Sequence, residues 1–122
     1  MTTNFTIEYG GIYWINCDPS FGHEFQGKRP GVVIESDQQI KKSSLVTIML
    51  ITSNVERKLK DDVLVKYSET NQLRADSVLK VYDIHSFDKR RLLKRIGSLE
   101  NDYLHQIRDY LPTHFRLGKG SD

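Results

Sequence analysis

The sequence predicts an α+β protein that is mostly β: a small, largely antiparallel barrel of five or more short strands, with a C-terminal helix covering one end. Three observations carry this expectation. β-branched and aromatic runs recur through the first two thirds of the chain, punctuated by Gly, Pro, Ser and Asn. No strand-helix alternation of the kind a parallel sheet requires is present, and a helical period of apolar residues appears only towards the end.

The elements follow in order. After Gly10-Gly11, the run Ile12, Tyr13, Trp14 and Ile15 reads as a strand that stops at the turn signature Asp18-Pro19-Ser20. The stretch from Phe21 to Lys28 has two glycines and no period, so an ordered loop is expected there, feeding a second strand that Pro30-Gly31 opens and Val32-Val33-Ile34 fills. Leu45 to Ile51 is a third strand, apolar enough to be buried on both faces, and Thr52-Ser53-Asn54 ends it. Val63 to Tyr67 and Ser77 to Val81 are the fourth and fifth. From Ser86 the period changes: Phe87, Leu92, Leu93 and Ile96 suit a short helix with Gly97 as its stop. Ser98 can cap a second helix carrying Leu99, Tyr103, Leu104, Ile107, Tyr110 and Leu111, which Pro112 ends. Residues 1–117 are expected to form one domain, and 118–122 a disordered tail.

A chain of 122 residues has room for one core. With 38% hydrophobic and 28% charged residues the composition is that of a globular protein, neither disordered nor membrane-embedded. The lone Cys17 excludes an intramolecular disulfide framework and a multi-cysteine zinc site. With no signal-peptide core at the N-terminus, a cytoplasmic location is expected. Leu45 to Ile51 is interrupted by Thr47 and far too short to span a bilayer. The net charge of +2, from 18 basic and 16 acidic residues, says little about partners. Lys89, Arg90, Arg91, Lys94 and Arg95 do crowd one stretch, for which a solvated helix face is the simpler reading and phosphate contact the sharper one.

Several candidates for chemistry fall away on spacing. His85, His105 and His114 lack the separation of a metal-binding pair, so no metal and no cofactor are expected. Alternation turns one of Tyr13 and Trp14 into the core, and Trp14 is read as packing rather than as a base-stacking platform. Cys17 has no evident basic neighbour in sequence, and is read as a buried or half-buried thiol.

The stretch Tyr9-Gly-Gly-Ile-Tyr-Trp-Ile-Asn-Cys-Asp-Pro-Ser-Phe-Gly-His-Glu-Phe-Gln-Gly-Lys-Arg-Pro30 resembles the opening of the MazF/PemK/Kid toxins. Those begin with a Gly-acidic-Ile/Val-Trp/Tyr strand, followed by Asp-Pro, Gly-His/Ser-Glu and Gly-x-Arg-Pro. The resemblance continues at Ile51-Thr52-Ser53, at the Arg-x-Asp loop in Leu73-Arg74-Ala75-Asp76-Ser77-Val78, and through Phe87-Asp88-Lys89-Arg90-Arg91-Leu92. It covers the chain in order up to about Leu111. Two positions depart from it: Gly11 stands where an acidic residue is usual, and Phe25 where many members carry Gln.

The resemblance implies an SH3-like barrel of the CcdB/MazF type. It also implies a toxin that cuts single-stranded RNA at a short sequence without a metal, using the ribose 2′-hydroxyl and leaving a 2′,3′-cyclic phosphate and a 5′-hydroxyl. Such chemistry needs a base for the 2′-hydroxyl proton, an acid for the departing 5′-oxygen and positive charge over the phosphate. The carboxylate assigned as base in the family matches Asp76, with Arg74 as its partner. A guanidinium with a pKa above about 12 is a poor proton donor, so charge stabilisation is the role expected of Arg74. His23, matching the His of Kid-like members, carries the imidazole best suited to moving protons near neutral pH. Arg29 precedes Pro30, which holds its backbone extended and suits it to clamp a phosphate, and the family places the residue matched by Thr52 at the scissile phosphate. Lys28, Ser53, Gln26, Glu24 and Asn54 complete the expected RNA contacts, with the loop from His23 to Lys28 and the segment from Asn54 to Lys60 reading the bases. Expected partners are single-stranded RNA, a second copy in a homodimer, and a MazE-like antitoxin whose acidic tail would occupy the RNA groove. Two other readings stay open: a CcdB-like topoisomerase poison without catalysis, and a toxin homologue whose activity has decayed.

Overall fold

A computed structural model of the chain describes residues 5–18 and 27–117. Six strands form one antiparallel sheet: β1 (Gly11–Asn16), β2 (Lys28–Val33), β3 (Leu45–Thr52), β4 (Val63–Val65), β5 (Ser77–Asp88) and β6 (Leu92–Ser98), in the spatial order β4-β5-β3-β2-β1-β6. A short helix α1 (Asp37–Ile40) follows β2, and the long helix α2 (Asn101–His114) ends the fold. Among the described residues no helix is long and apolar enough to cross a membrane.

Strict alternation divides the core in two. On one face Ile12, Val32, Met49, Ile51, Val63, Val65, Leu79 and Val81 meet Leu104 and Ile107 of α2. On the other, Tyr13, Ile15, Val33, Val46, Ile48 and Leu50 pack with Ile40 of α1 and with Phe5, Ile7 and Phe87. Most of these side chains are fully excluded from solvent, and each such aliphatic side chain contributes about 1.5–3 kcal/mol of transfer free energy. β3 is central because it is apolar towards both faces, as its composition requires.

The region from Ser86 to Ser98 is not helical. β5 runs on to Asp88, whose carboxylate caps a 3₁₀ turn over Lys89–Arg91 by accepting from Arg90 N–H, and the chain returns as β6 along β1. Phe87, Leu92 and Ile96 have the spacing of a helix, but the sheet edge offered by β1 wins, a tertiary override of local period. Ser98 therefore lies in β6, and its hydroxyl accepts from Arg95 instead of capping a helix. Glu100 occupies the N-cap position of α2, and Pro112 sits within the helix rather than ending it. The fourth strand is shorter than expected and the fifth longer. β4 pairs only with Ser77 to Leu79, so the far half of β5 has β3 as its one partner strand among the described residues.

The two ends of the sheet are joined through the segment after β4. Asn71 is completely buried, its Nδ2 donating to Lys66 O and to Glu100 while its Oδ1 accepts from the N–H groups of Ser68 and Leu73. Ser68 Oγ donates to the other oxygen of Glu100, at 2.8 Å, and Ser98 N–H donates to Thr70 O. Gly97 in β6 lies directly beneath this crossing, and a Cβ there would sit 2.5 Å from Asn71 O. Gly97→Ala is therefore expected to destabilise the protein by about 2 kcal/mol, since main chain rather than a side-chain tip must move. A urea midpoint equal to that of the wild type would show that the sheet is not closed here.

Candidate functional site

A cavity of about 490 Å³ opens at the end of the sheet where β1, β2, β3 and β6 meet the segment between β4 and β5. Its floor continues the face that α2 covers. Ile12 and Val32 lie under the helix, and one step further along the same face come Trp14 and Pro30, which are cross-strand partners, and then Ile51. Gln72, Leu73, Arg74 and Ala75 form the facing wall. The Asn71 network fixes that wall, and Gln72 takes a left-handed conformation, with φ of 56°, as the chain turns into it.

Of the predicted residues, Lys28, Arg29, Thr52, Ser53 and Arg74 all line this cavity. β2 pairs Gly31 with Leu50, and carried two residues further the same register sets Arg29 opposite Thr52. Arg29 thus leaves the sheet on the face of Tyr13 and Ile15, whereas Lys28 and Trp14 leave on the other. Both sets border one opening because the sheet ends there. Thr52 is buried, and its Oγ1 accepts from Asn54 N–H at 3.2 Å, so it closes the strand as well as lining the cavity.

Two predicted residues lie elsewhere. Asp76 is exposed, and its Oδ1 accepts from Tyr67 N–H at 3.1 Å, tying the segment that bears Arg74 to the end of β4 rather than bordering the cavity. Asn54 caps a 3₁₀ turn over Val55–Arg57. The segment it begins is anchored by a buried ion pair: Asp62 accepts from Lys80 Nζ and from the N–H groups of Leu59 and Val81, and Lys80 also donates to Arg57 O. His23, Glu24, Gln26 and Phe25 lie outside the described residues.

Among the lining residues that the sequence did not mark as part of a site are Trp14, Lys94 and Arg95. The sequence reads Trp14 as packing, but Tyr13 and Ile15 on either side of it are fully buried, so alternation turns Trp14 into the cavity. Lys94 and Arg95 were placed on a helix and instead come from β6, Lys94 directly opposite Trp14. Arg95 is held by Glu8 at 2.8 Å, by Ser98 Oγ and by the Tyr13 hydroxyl, and its guanidinium lies over the Tyr13 ring. The alternation of Tyr13 and Trp14 was legible, but which of the two faced the core depended on where α2 ended.

The described lining thus contains Lys28, Arg29, Arg74, Lys94 and Arg95 and no carboxylate. Among the described residues no group of three or more His, Cys, Asp or Glu side chains is placed to hold a metal ion. Fold and cavity together define a small antiparallel β-protein with a cleft that is apolar at its floor and cationic at its rim.

Comparison with known proteins narrows this class. The chain belongs to the PemK-like, MazF-like toxin family of type II toxin-antitoxin systems, whose sequence model matches residues 8–115. It is a homologue of Endoribonuclease MazF9 of Mycobacterium tuberculosis, with 28% identity over 113 residues that span 88% of this chain and 95% of that one. The fold is that of MazF from Deinococcus radiodurans, at a TM-score of 0.78 and 22% identity over 93% of this chain and 99% of that one. A mycobacterial endoribonuclease solved with its cognate antitoxin gives a TM-score of 0.72 at 15% identity, covering 92% and 97%.

Cys17 lies close by, on the face shared by Ile15 and Arg29. Burial pushes its thiol pKa up, and the nearby Arg29 and Arg91 pull it down by less, so basic neighbours that the sequence did not reveal are present but do not prevail. A raised pKa leaves less thiolate at any pH below it. Cys17 is expected to react with iodoacetamide at pH 7.5 several-fold more slowly than in the urea-unfolded chain. Equal rates would contradict the burial.

Proposed function

We propose that the chain is a toxin endoribonuclease that cuts single-stranded RNA at a short sequence by attack of the ribose 2′-hydroxyl on the adjacent phosphate, without a metal. The products would be a 2′,3′-cyclic phosphate and a 5′-hydroxyl, and DNA would be no substrate for want of the nucleophile. One observation supports this above others: in a chain of this family, Arg29, Thr52, Ser53 and Arg74 come from three separate parts of the sequence to a single cation-lined cavity. A topoisomerase poison acting through its terminal helix would have no use for that convergence. Arg29 and Arg74 stabilise the charge that develops on the phosphate, a role for fixed guanidinium groups in a partly enclosed site. Thr52 and Ser53 offer hydroxyls to its oxygens, and Lys28 and Lys94 hold neighbouring phosphates. We assign both proton transfers to His23, whose neutral imidazole would take the 2′-hydroxyl proton as the P–O bond forms and return a proton to the 5′-oxygen as the bond to it breaks.

Asp76 is the residue whose role the structure makes sharply testable. Its bond to Tyr67 N–H supports a part in holding the Arg74 segment, in place of the base function implied by the family pattern. Asparagine keeps the acceptor oxygen but not the basicity. If Asp76 positions the segment, Asp76→Asn retains activity within about fivefold while Asp76→Ala loses it. A base would instead lose about 10²–10⁴-fold in both variants.

The acting species is proposed to be a homodimer, silenced by a cognate antitoxin whose acidic segment would neutralise the same cationic lining. The direct test incubates purified protein with mixed RNA in EDTA and maps the new ends. Cleavage is expected, with Arg29→Ala about 10²-fold slower or worse. No cleavage by the wild type, or full cleavage by Arg29→Ala, would overturn the proposal. Binding to a non-cleavable RNA is expected to weaken steeply between 50 and 200 mM salt, with a log-log slope of about −2 to −4 for the few phosphates this lining can neutralise. A slope near zero would remove the cationic rim from the binding account.

A further inference from the structure

Trp14 is the chain's sole tryptophan. It stands on the face of β1 that packs against α2, but beyond the helix's cover, only partly buried and open to the cavity. Its cross-strand partner on one side is Pro30 and on the other Lys94, with Lys28 at the next outward position of β2 on the same face. The pairing of β1 with β6 slips register on both sides of the Trp14–Lys94 pair, passing over Leu93 and Ile96. Such bulges re-aim side chains, and here Lys94, Arg95 and Ile96, three consecutive residues of one strand, all border the same opening. A large flat ring is thereby set between cations at the floor of a cleft whose described lining holds no acid.

From this we infer that Trp14 is a stacking platform for one unpaired RNA base, next to a phosphate held by Lys94 and Lys28. The inference rests on the RNA-cleaving reading above and gives that site a base-binding floor. The apolar surface of Trp14 and Pro30, backed by the buried Ile51, matches the face of a nucleobase, and the flanking ammonium groups match the phosphate beside it. Stacking of this kind tolerates any base, because every base presents a π-face. Trp14 therefore supplies affinity and positions the strand, leaving the choice of sequence to other groups.

The single tryptophan makes its own reporter. A random-sequence single-stranded octamer with 2′-O-methyl ribose throughout, which the proposed chemistry does not cleave, is titrated against the wild type while tryptophan emission is followed. An octamer of the same charge with every base removed serves as its counterpart. The base-bearing pool is expected to quench the emission by at least half, and the abasic octamer to leave it nearly unchanged although it binds the cationic rim. Equal responses to the two would reduce the effect to electrostatics and overturn the inference, as would no response to the pool. A response to an acidic peptide but not to the pool would assign the ring to a protein partner, and also overturn it.

Kinetics on an RNA bearing the mapped cleavage site give a second readout. Trp14→Leu is expected to raise KM about tenfold or more with little change in kcat, and Trp14→Phe to recover most of that loss. An unchanged KM in Trp14→Leu would overturn the inference. Quenching by the pool without cleavage by the wild type would defeat the nuclease reading alone. Cleavage without quenching would defeat the stacking site alone.

Discussion

The buried side chain of Asn71 is the constraint on which the rest of the arrangement depends. It is wholly excluded from solvent, yet its amide is matched by partners: Lys66 O and Glu100 take its hydrogens, and Ser68 and Leu73 N–H point at its oxygen. A buried amide left without such partners would cost about 1–3 kcal/mol for each unmet group, so the surrounding chain has little freedom to adopt another course. The path of residues 66–73, the start of α2 and the close approach of β6 at Gly97 are set by the same few atoms. Because Arg74 follows directly, one wall of the cleft inherits its position from a residue that does not border the cleft at all.

Above that anchor the sheet separates two tasks. Where α2 covers it, the inner face is a dry core of Ile12, Val32, Met49 and Leu79. Where the helix ends, the same face becomes a floor that Trp14 and Pro30 share with solvent, above the buried Ile51. The opposite face is filled by Tyr13, Ile15 and Leu50 until Arg29 and Thr52 emerge at its rim. Extending the alternation past the edge of a core is a simple way to place an apolar patch and a charged clamp on either side of a strand end. The strands that build the core thus also aim the site.

Much of this was legible in the sequence, and the reasons for the misses are specific. The first three strands, the C-terminal helix and the approximate position of the other two strands follow from period and punctuation, and Arg29, Thr52 and Arg74 from their motifs. β6 was not legible because its partner is β1, some eighty residues earlier, and no local signal distinguishes Leu92, Leu93 and Ile96 on a bulged edge strand from the same residues on a helix. The error carried forward: with the stretch taken as helix, Lys94 and Arg95 had no reason to approach Trp14, and Trp14 had no reason to be open. Pro112 misled in a smaller way. The helix runs two residues past it, to His114.

The long strand β5 has a consequence for how this chain behaves in company. β4 shields only Ser77 to Leu79, and Val81 N–H is taken by the Asp62 carboxylate. From there to Asp88 the outward edge pairs with no strand among the described residues, and an open edge invites strands from other molecules. Asp83 and Asp88 stand along it, with Lys89 at its end. The Asp88 carboxylate is held by Arg90 at 2.9 Å, so it is chiefly Asp83 that a second such edge would meet, and like charges brought face to face repel. Such repulsion would disfavour strand-to-strand association along this edge.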